Sequence, residues 1–301
     1  MYTYKIYNNI SAEGIDCLEV NGFTKEEKNP DALLIRSQLV NEGDFNKSLK
    51  CICRAGAGVN HIPIDMATER GVVVFNTPGG NANAVKELVI CGLLLSSRGI
   101  IQGHQFAQTL SKQDADELTH LVEKNKKNFK GNELKGKTIG IIGLGAIGSL
   151  LAQSVVSMDM KVIGYDPNIS IDAAWQLPKE VVKADNLKDL LSNSDYISIH
   201  VPLVEETKNL ISNDVIKFIK PGAKLINLSR GSIVNNKDVL NALENKKIST
   251  FVTDFPSPEM VKRSIKFSDV ILLPHLGAST KEAEINCAVM AAEQAIRFLK
   301  D

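Results

Sequence analysis

Short apolar runs alternate with helix-length segments along nearly the whole chain. In the first third this pattern predicts strands at residues 5–7, 32–36, 51–54 and 72–76, followed by a helix over 83–97. Further apolar runs predict strands at 137–142, 161–165, 196–201, 223–228, 250–254 and 270–273. Strands that alternate with helices are typical of an α/β protein built on doubly wound parallel sheets. A last helix is predicted over 280–299, where Ser279 and Glu282 have the spacing of a capping box.

Residues 103–137 interrupt this alternation. The segment is polar and rich in lysine, and it has few apolar residues that could enter a core. Such a composition indicates either an excursion from the core or a domain boundary, and its lysines are typical of a solvated helix face.

The composition is that of an ordinary globular protein. The chain has 301 residues, of which 44% are hydrophobic and 23% charged, and this length predicts about two domains. Lys and Arg (35) balance Asp and Glu (35), so no overall positive field attracts nucleic acid or an acidic membrane surface. No apolar run approaches the roughly 18 residues that span a bilayer, and the N-terminus lacks the pattern of a signal peptide.

Five cysteines are spread thinly over the chain, which is unlike a disulfide framework. Cys51 and Cys53 are interpreted as buried thiols, and no histidine has partners at metal-ligand spacing, so no metal is expected. His200 ends an apolar strand, where a structural or cofactor-lining role is favoured over proton transfer. We therefore expect a cytoplasmic protein that binds neither nucleic acid nor membranes.

A glycine-rich turn stands between a strand and a helix at residues 137–157. The sequence KTIGIIGLGAIG places Gly143, Gly145 and Gly148 after an apolar run and before a helical pattern. In this context the first glycine permits a tight turn, the second lets a pyrophosphate approach the backbone, and the third lets helix and strand pack closely. A second strand ends in Asp166, whose carboxylate would bind a ribose diol and repel a 2′-phosphate. The pattern predicts a dinucleotide site that prefers NAD over NADP.

Three chemically active side chains follow three successive late strands. Arg230, Glu259 and His275 come after the predicted strands at 223–228, 250–254 and 270–273. Ligands of parallel sheets bind at the carboxyl ends of the strands, so we expect these side chains at one edge. A histidine can take a hydroxyl proton near neutral pH, a carboxylate can orient it, and an arginine can hold a substrate carboxylate or carbonyl oxygen. Taken singly, each residue could instead be structural. Arg230 could belong to a surface turn, Glu259 to a solvated loop, and His275 could be a structural residue that precedes a helix.

Several segments carry a family resemblance: GLGAIG with GYDP, HVPLVEET, INLSRGSIV, TDFPSPE and PHLGAST. Together they resemble the D-isomer-specific 2-hydroxyacid dehydrogenases over essentially the whole chain. The resemblance implies that Arg230, Glu259 and His275 form the catalytic set. It implies NAD as the cofactor, with contacts from Gly143, Gly145, Ala146, Ile147, Gly148, Asp166, Pro202, Thr207, Asp254 and Gly277.

The N-terminal third resembles more particularly the family members that oxidise D-3-phosphoglycerate, through LLIRS, CRAGAGVNHIPID and FNTPGGNANAVKELV. By resemblance Arg36, Ser37 and Asn81 would contact a phosphorylated 2-hydroxy acid, with Arg36 near its phosphate. Arg36 could instead pair with a local carboxylate such as Asp31 or Glu42.

The resemblance also implies a split architecture. A flavodoxin-like substrate domain would comprise residues 1–98 and 280–301, and a Rossmann-type NAD domain would be inserted at 99–279. In the family, the polar segment at 103–137 contributes to dimer contacts, so a homodimer or higher homo-oligomer through the nucleotide domain is expected.

Two departures and two other functions stay open. Val204 replaces a common threonine, and TDFPSPEM replaces the commoner DVFxxEP, so the loop that carries Glu259 can differ in shape. The same fold could reduce an unphosphorylated 2-oxo acid such as glyoxylate or hydroxypyruvate. A non-enzymatic NAD-sensing protein, like some corepressor relatives, is the third interpretation.

Overall fold

A computed structural model describes residues 1–300, except for the side chain of residue 172. The strands are, in chain order, β1 (Thr3–Tyr7), β2 (Thr24–Lys25), β3 (Ala32–Ile35), β4 (Cys51–Arg54), β5 (Val73–Asn76), β6 (Thr138–Ile142), β7 (Lys161–Tyr165), β8 (Val181–Lys183), β9 (Tyr196–Ile199), β10 (Ala223–Asn227), β11 (Ile248–Thr253) and β12 (Val270–Leu272). The helices are α1 (Ala12–Val20), α2 (Ile64–Glu69), α3 (Ala82–Ser97), α4 (Ile100–Thr109), α5 (Ala115–Asn125), α6 (Ala146–Ser157), α7 (Ile171–Trp175), α8 (Leu187–Asn193), α9 (Asn213–Ile216), α10 (Asn236–Glu244), α11 (Pro258–Lys266) and α12 (Lys281–Lys300).

The chain divides into two compact units. The first unit contains Met1–Ala84 and the C-terminal segment from Ala278, and the second contains Val85–Gly277. The predicted boundaries at 98/99 and 279/280 differ from this division. The larger difference is at the first boundary, which lies after Ala84 instead of after residue 98. Helix α3 crosses this boundary, and its side chains from Val85 to Leu93 already belong to the core of the second unit.

The first unit is a five-stranded parallel sheet in the order β2-β1-β3-β4-β5. This is the flavodoxin-like order that the resemblance implies. In the central strand β3, Leu33 and Ile35 enter one core cluster while Ala32 and Leu34 enter another, because successive side chains of a strand point to opposite faces. Both faces are therefore covered, as is usual for parallel sheets.

The second unit is a seven-stranded parallel sheet in the order β12-β11-β10-β9-β6-β7-β8. Its first strand in sequence, β6, lies between β7 and β9, so the strand order reverses there as in Rossmann-type folds. The carboxyl ends of all seven strands lie along one edge of the sheet. The loops at that edge carry Gly143, Asp166, Arg230 and His275.

The predicted fold class is confirmed, and the differences concern peripheral elements. Two short strands, β2 and β8, were not predicted because two or three residues are too few to show a periodicity. The polar segment from residue 103 contains most of α4 and all of α5, and neither helix has a buried residue of its own. Among residues 1–300, none of the helices combines the length and apolarity needed to span a membrane.

Candidate active site

The glycine-rich turn has the geometry that its sequence predicts. Gly143 has φ of 91°, in the left-handed region that favours glycine, and its N–H donates to the carbonyl oxygen of Tyr165 at 2.9 Å. A Cβ on Gly148 would lie 2.0 Å from the carbonyl oxygen of Gly143. Only a glycine at position 148 therefore allows α6 to begin so close to the end of β6.

Gly145 differs from its two neighbours in the motif because a Cβ there would meet nothing within 4 Å. It is the N-cap residue of α6, and Ala146 and Ile147 are the first residues of that helix. Amide N–H groups in the first turn have no intrahelical partner, and they favour an anion at the helix N-terminus. The open space beside Gly145 thus fits a pyrophosphate.

Asp166 follows β7 and lies beside this turn. One carboxylate oxygen accepts a hydrogen bond from the Leu144 N–H at 2.8 Å, and the other accepts one from the Asn168 N–H at 3.0 Å. The side chain is partly exposed, so lone pairs of its oxygens remain open to a ribose diol. These residues fit an NAD molecule, although the preference for NAD over NADP stays a prediction.

The loop after β9 is closed by a side chain that the resemblance assigned to the cofactor. The Thr207 hydroxyl donates to the carbonyl oxygen of Pro202 at 2.6 Å and accepts from the Val204 N–H at 2.9 Å. Pro202 itself is exposed. Both positions stay predicted cofactor contacts.

Arg230 follows β10 and precedes a 3₁₀ turn at Gly231–Ile233. Its side chain is half-buried, and one guanidinium nitrogen donates to the carbonyl oxygen of Ser229 at 2.7 Å. Removal from water lowers the pKa of this guanidinium from its ordinary value, although an arginine stays charged. A partly desolvated cation at this edge attracts a substrate carboxylate.

His275 follows β12 and is exposed at the same edge. Its ring contacts the Phe255 ring edge-on, with centroids 5.3 Å apart and an interplanar angle of 63°. The Cβ of Phe255 is also 3.1 Å from the position that a Cβ on Gly231 would take. Phe255 therefore lies beside the turn after Arg230 and contacts the ring of His275.

Glu259 does not join them. It lies in the first turn of α11, and its carboxylate accepts a hydrogen bond from the Ser257 hydroxyl at 3.0 Å. Its own backbone N–H and, to a smaller extent, this hydrogen bond lower the pKa of its carboxyl group. The catalytic role of Glu259 stays a prediction, and within residues 1–300 no hydrogen bond or salt bridge joins it to His275. The reason is local: Ser257 caps α11 and Pro258 opens it, which places Glu259 on a helix N-terminus.

Asp254 and Gly277 are buried, whereas His275 is exposed. The two Asp254 carboxylate oxygens accept hydrogen bonds from the N–H groups of Leu276 and Gly277, each at 2.7 Å. The resemblance assigned Asp254 and Gly277 to the cofactor, and those contacts stay predictions.

The sequence interpretation missed Asn227 and Phe255. Asn227 is fully buried at the end of β10, and its side chain bonds the backbone at Ser229 and Arg230. A polar residue directly after two apolar ones, at the carboxyl end of its strand, was the available signal for Asn227. Phe255 offered no such signal, since its role depends on which rings it contacts.

His200 is half-buried after β9, and its Nε2 lies 2.9 Å from the Ser198 hydroxyl oxygen. Loss of hydration lowers the pKa of this imidazole to about 4. His200 is therefore neutral at physiological pH, which fits the predicted structural or cofactor-lining role.

The predicted substrate residues all belong to the first unit. Arg36 follows β3 and pairs with Glu284 of α12 at 2.8 Å, whereas the two carboxylates considered from the sequence bind other cations. Asp31 pairs with Lys50 at 3.3 Å, and Glu42 pairs with Arg70 at 2.6 Å. The Ser37 N–H donates to Asn8 Oδ1 at 3.1 Å, and Asn81 directly precedes α3. Arg36, Ser37 and Asn81 lie in loops at the carboxyl edge of the first sheet.

Cys51 and Cys53 are buried on one face of β4, with their sulfur atoms 3.9 Å apart. All five cysteines are free. Within residues 1–300 there is no group of three or more His, Cys, Asp or Glu side chains that could hold a metal ion.

Comparison with known families identifies the second unit. Residues 92–277 match the family model described as D-isomer specific 2-hydroxyacid dehydrogenase, NAD binding domain. The chain belongs to the D-isomer specific 2-hydroxyacid dehydrogenases. It thus carries the NAD-binding domain of this family, and NAD is its cofactor.

Relatives within the dehydrogenase family extend the likeness to nearly the whole chain. The D-3-phosphoglycerate dehydrogenase of Archaeoglobus fulgidus is 34% identical over 97% of this chain and 56% of the relative. The enzyme of that name from Bacillus subtilis is 37% identical over 90% of this chain and 50% of the relative. The chain therefore spans about half the length of the relatives it matches.

Solved structures confirm the fold of the chain. An NAD⁺-bound 3-phosphoglycerate dehydrogenase of Entamoeba histolytica matches with a TM-score of 0.78 at 24% identity, over 100% of this chain and 96% of that one. The D-lactate dehydrogenase of Escherichia coli matches with a TM-score of 0.78 at 23% identity, over 99% of this chain and 97% of that one. The two proteins are named for different substrates, so their structural similarity to this chain shows the fold alone.

Proposed function

We propose that the protein is an NAD-dependent dehydrogenase that oxidises D-3-phosphoglycerate to 3-phosphohydroxypyruvate. The observation that carries this proposal is that Phe255 contacts the His275 ring and lies beside Gly231, the residue after Arg230, at the sheet edge that also bears the glycine-rich turn. The names of the relatives at 34–37% identity support the choice of substrate.

His275 takes the proton of the substrate hydroxyl in the oxidation and returns it in the reverse direction. The imidazole is exposed, so it can reach a bound hydroxyl without displacing a protein partner. When bound, NAD⁺ would supply the acceptor for the hydride of the hydroxyl-bearing carbon. Phe255 restricts the His275 ring by its edge-on contact, which keeps the ring near one orientation.

Arg230 binds the substrate carboxylate and orients the reacting carbon. Its partial burial strengthens this attraction relative to a fully solvated arginine, because fewer water molecules screen it. Gly145 and the start of α6 would hold the pyrophosphate, and Asp166 would hold the ribose. Glu259 stays a proposed catalytic residue, although its carboxylate is bonded to Ser257 in this structure.

Arg36 is the proposed phosphate contact, but its guanidinium has a partner already. The salt bridge to Glu284 must loosen or be shared before Arg36 can bind a phosphate. This ion pair favours the alternative substrate class, an unphosphorylated 2-oxo acid such as glyoxylate or hydroxypyruvate. Ser37 and Asn81 remain proposed contacts to either class.

The test follows NADH absorbance with a panel of acids: 3-phosphoglycerate, glycerate and lactate with NAD⁺, and 3-phosphohydroxypyruvate, hydroxypyruvate and glyoxylate with NADH. We expect the highest kcat/KM for the phosphorylated pair. A higher value for glyoxylate or hydroxypyruvate would establish the alternative enzyme. NADH binding without turnover of any acid would support the NAD-sensing protein instead.

We further propose that the protein acts in the cytoplasm as a homodimer or larger homo-oligomer formed through the second unit. The five free cysteines suit a reducing compartment. The support for an oligomer is the exposure of apolar side chains on α4 and α5, including Ile100, Leu118 and Val122.

A further inference from the structure

The loop that carries His275 has an unusual backbone. His275 has φ of 57°, a left-handed conformation that residues other than glycine adopt rarely. Its ring is exposed, so side-chain packing in a core does not explain the conformation. A backbone held in such a region needs hydrogen bonds that outweigh its strain.

Asp254 supplies those hydrogen bonds. Its carbonyl oxygen accepts from the His275 N–H at 3.2 Å, while its carboxylate oxygens accept from the N–H groups of Leu276 and Gly277 at 2.7 Å each. Three consecutive peptide N–H groups therefore bind to one residue. These three hydrogen bonds can offset the strain of the backbone at His275.

The Asp254 side chain is only 1% exposed. A Cβ on Gly277 would lie 3.2 Å from one of its oxygens, so the loop packs directly over the carboxylate. A group enclosed in this way acts on the reaction through the loop that covers it.

Asn227 makes the equivalent arrangement on the neighbouring strand. Its Nδ2 donates to the carbonyl oxygen of Arg230 at 2.9 Å, and its Oδ1 accepts from the Ser229 N–H at 3.1 Å. The Asp254 N–H donates to the carbonyl oxygen of Asn227 at 3.2 Å, which joins the two arrangements through the backbone. Two adjacent strands thus end in buried side chains that each fix the turn that bears a proposed active-site residue.

We propose that Asp254 is a positioning residue that holds His275 in its reactive orientation, and that Asn227 does the same for Arg230. This inference rests on the proposed dehydrogenase function. In this proposal Asp254 holds the backbone of the loop that bears His275. This role is separate from the cofactor contact that the resemblance implies.

The first experiment compares Asp254→Asn with a matched control, Asp195→Asn. The amide keeps the shape of the side chain but sets an NH₂ group against a backbone N–H, so one loop hydrogen bond is lost. Asp195 also binds a backbone N–H, that of Thr138 at 2.9 Å, but it lies at the opposite edge of the same sheet. We expect kcat to fall about 10- to 100-fold for Asp254→Asn with the NADH dissociation constant changed less than about threefold. Asp195→Asn should change kcat less than about twofold, whatever its effect on thermal stability.

The second experiment asks whether Asp254 acts through His275. In a His275→Gln background, Asp254→Asn should lower turnover by less than about twofold, because the group that it positions is gone. An equal loss in both backgrounds would overturn the proposal, and so would a loss that lies mainly in the NADH dissociation constant. If Asp254→Asn does not fold, Asp254→Ser, which keeps one acceptor oxygen, is measured in the same way.

A third measurement does not depend on activity. Amide hydrogen exchange at Leu276 and Gly277 should be at least about tenfold faster in Asp254→Asn than in the unmutated protein, with exchange in β6 unchanged. Unchanged exchange at these two amides would contradict the proposal even if turnover fell. Should no acid be oxidised or reduced by the unmutated protein, the proposed function fails, while this measurement still decides the role of Asp254 in the loop.

The role of Asn227 is tested through KM, whereas the role of Asp254 is tested through kcat. Asn227→Asp replaces the donor to the Arg230 carbonyl by an acceptor, which loosens the turn before the proposed carboxylate-binding residue. We expect KM for the hydroxy acid to rise about tenfold with kcat changed less than about threefold. A loss of kcat at constant KM would remove Asn227 from the proposal.

Discussion

At the scale of single residues, the second unit separates the groups that bear charge or protons from the groups that hold them. Arg230 and His275 occupy turns at the edge of the sheet, while Asn227 and Asp254 are buried behind them. Phe255 contacts both turns. Single substitutions at these positions should therefore have distinct consequences.

His275→Gln should lower turnover by about two to four orders of magnitude, the usual effect of removing a positioned acid-base group. NADH affinity should change little, because the imidazole acts on the substrate. Glu259→Gln is measured alongside it, and its effect on turnover should be the smaller of the two, below about tenfold, because the carboxylate bonds Ser257. Both are measured as kcat and as NADH dissociation constants; equal losses in the two variants would place Glu259 beside His275 during the reaction.

His200 predicts a specific loss of stability in acid. Its folded-state pKa of about 4 lies below the ordinary value near 6.5, so the unfolded chain takes up the proton first as pH falls. The free energy of unfolding should therefore decrease between about pH 6.5 and pH 4, and His200 adds nothing further below pH 4. Urea unfolding measures this free energy at pH 7 and at pH 4.5. Its decrease between the two pH values should be about 1 to 2 kcal/mol smaller for His200→Gln than for the unmutated protein. Equal losses would show that His200 is protonated in the folded state.

Arg36 predicts how the enzyme distinguishes phosphorylated substrates. Arg36→Ala should raise KM for 3-phosphoglycerate by about one to two orders of magnitude, with a much smaller effect on glycerate. Glu284→Gln removes the salt-bridge partner, so it should lower that KM or leave it unchanged. Steady-state kinetics on both substrates decides the matter, and equal effects of Arg36→Ala on both would assign the arginine to the scaffold.

At the scale of elements, the strand ends determine what the site contains. The glycine-rich turn joins β6 to α6, and its glycines have different neighbours: backbone atoms crowd positions 143 and 148, while position 145 is open. The same residue type thus serves packing at one position and ligand access at another.

Gly148→Ala should lower the free energy of unfolding by about 2 kcal/mol or more, because its Cβ would lie 2.0 Å from a carbonyl oxygen and α6 must shift. Gly145→Ala should change the free energy of unfolding by less than about 1 kcal/mol, since the added methyl meets nothing within 4 Å. It should instead weaken NADH binding about tenfold by occupying the space for the pyrophosphate. Urea unfolding and quenching of the single tryptophan by NADH measure the two effects. The reverse pattern would refute the assignment of the turn.

Most of the sheet strands and the glycine-rich turn could be predicted because their patterns are local. A run such as residues 139–142 is apolar because both faces of a parallel strand are buried, and that requirement is visible in the sequence. The hydrogen bond of the Glu259 side chain to Ser257 could not be predicted, since it depends on α11 starting at Pro258. The partner of Arg36 was equally hidden, because Glu284 lies far away along the chain.

At the scale of the whole molecule, α4 and α5 are the least embedded elements of the second unit. Neither has a buried residue of its own, yet α5 carries Leu118 and Val122 one helical turn apart, with 40% and 38% of their surface exposed. Apolar side chains at this spacing form a stripe along one helix face. A second copy of the chain would remove that stripe from water.

We expect light scattering to show a dimer or larger oligomer for the unmutated protein. Replacing both Leu118 and Val122 by Glu should produce monomers, since two buried charges without partners would oppose association. Val20→Glu is the matched control: Val20 ends α1 and is 87% exposed, so this charge should leave the mass unchanged. A monomeric unmutated protein, or a doubly substituted protein that stays associated, would show that α5 is simply a solvated helix. In the second case the interface would have to be sought on another surface of the second unit.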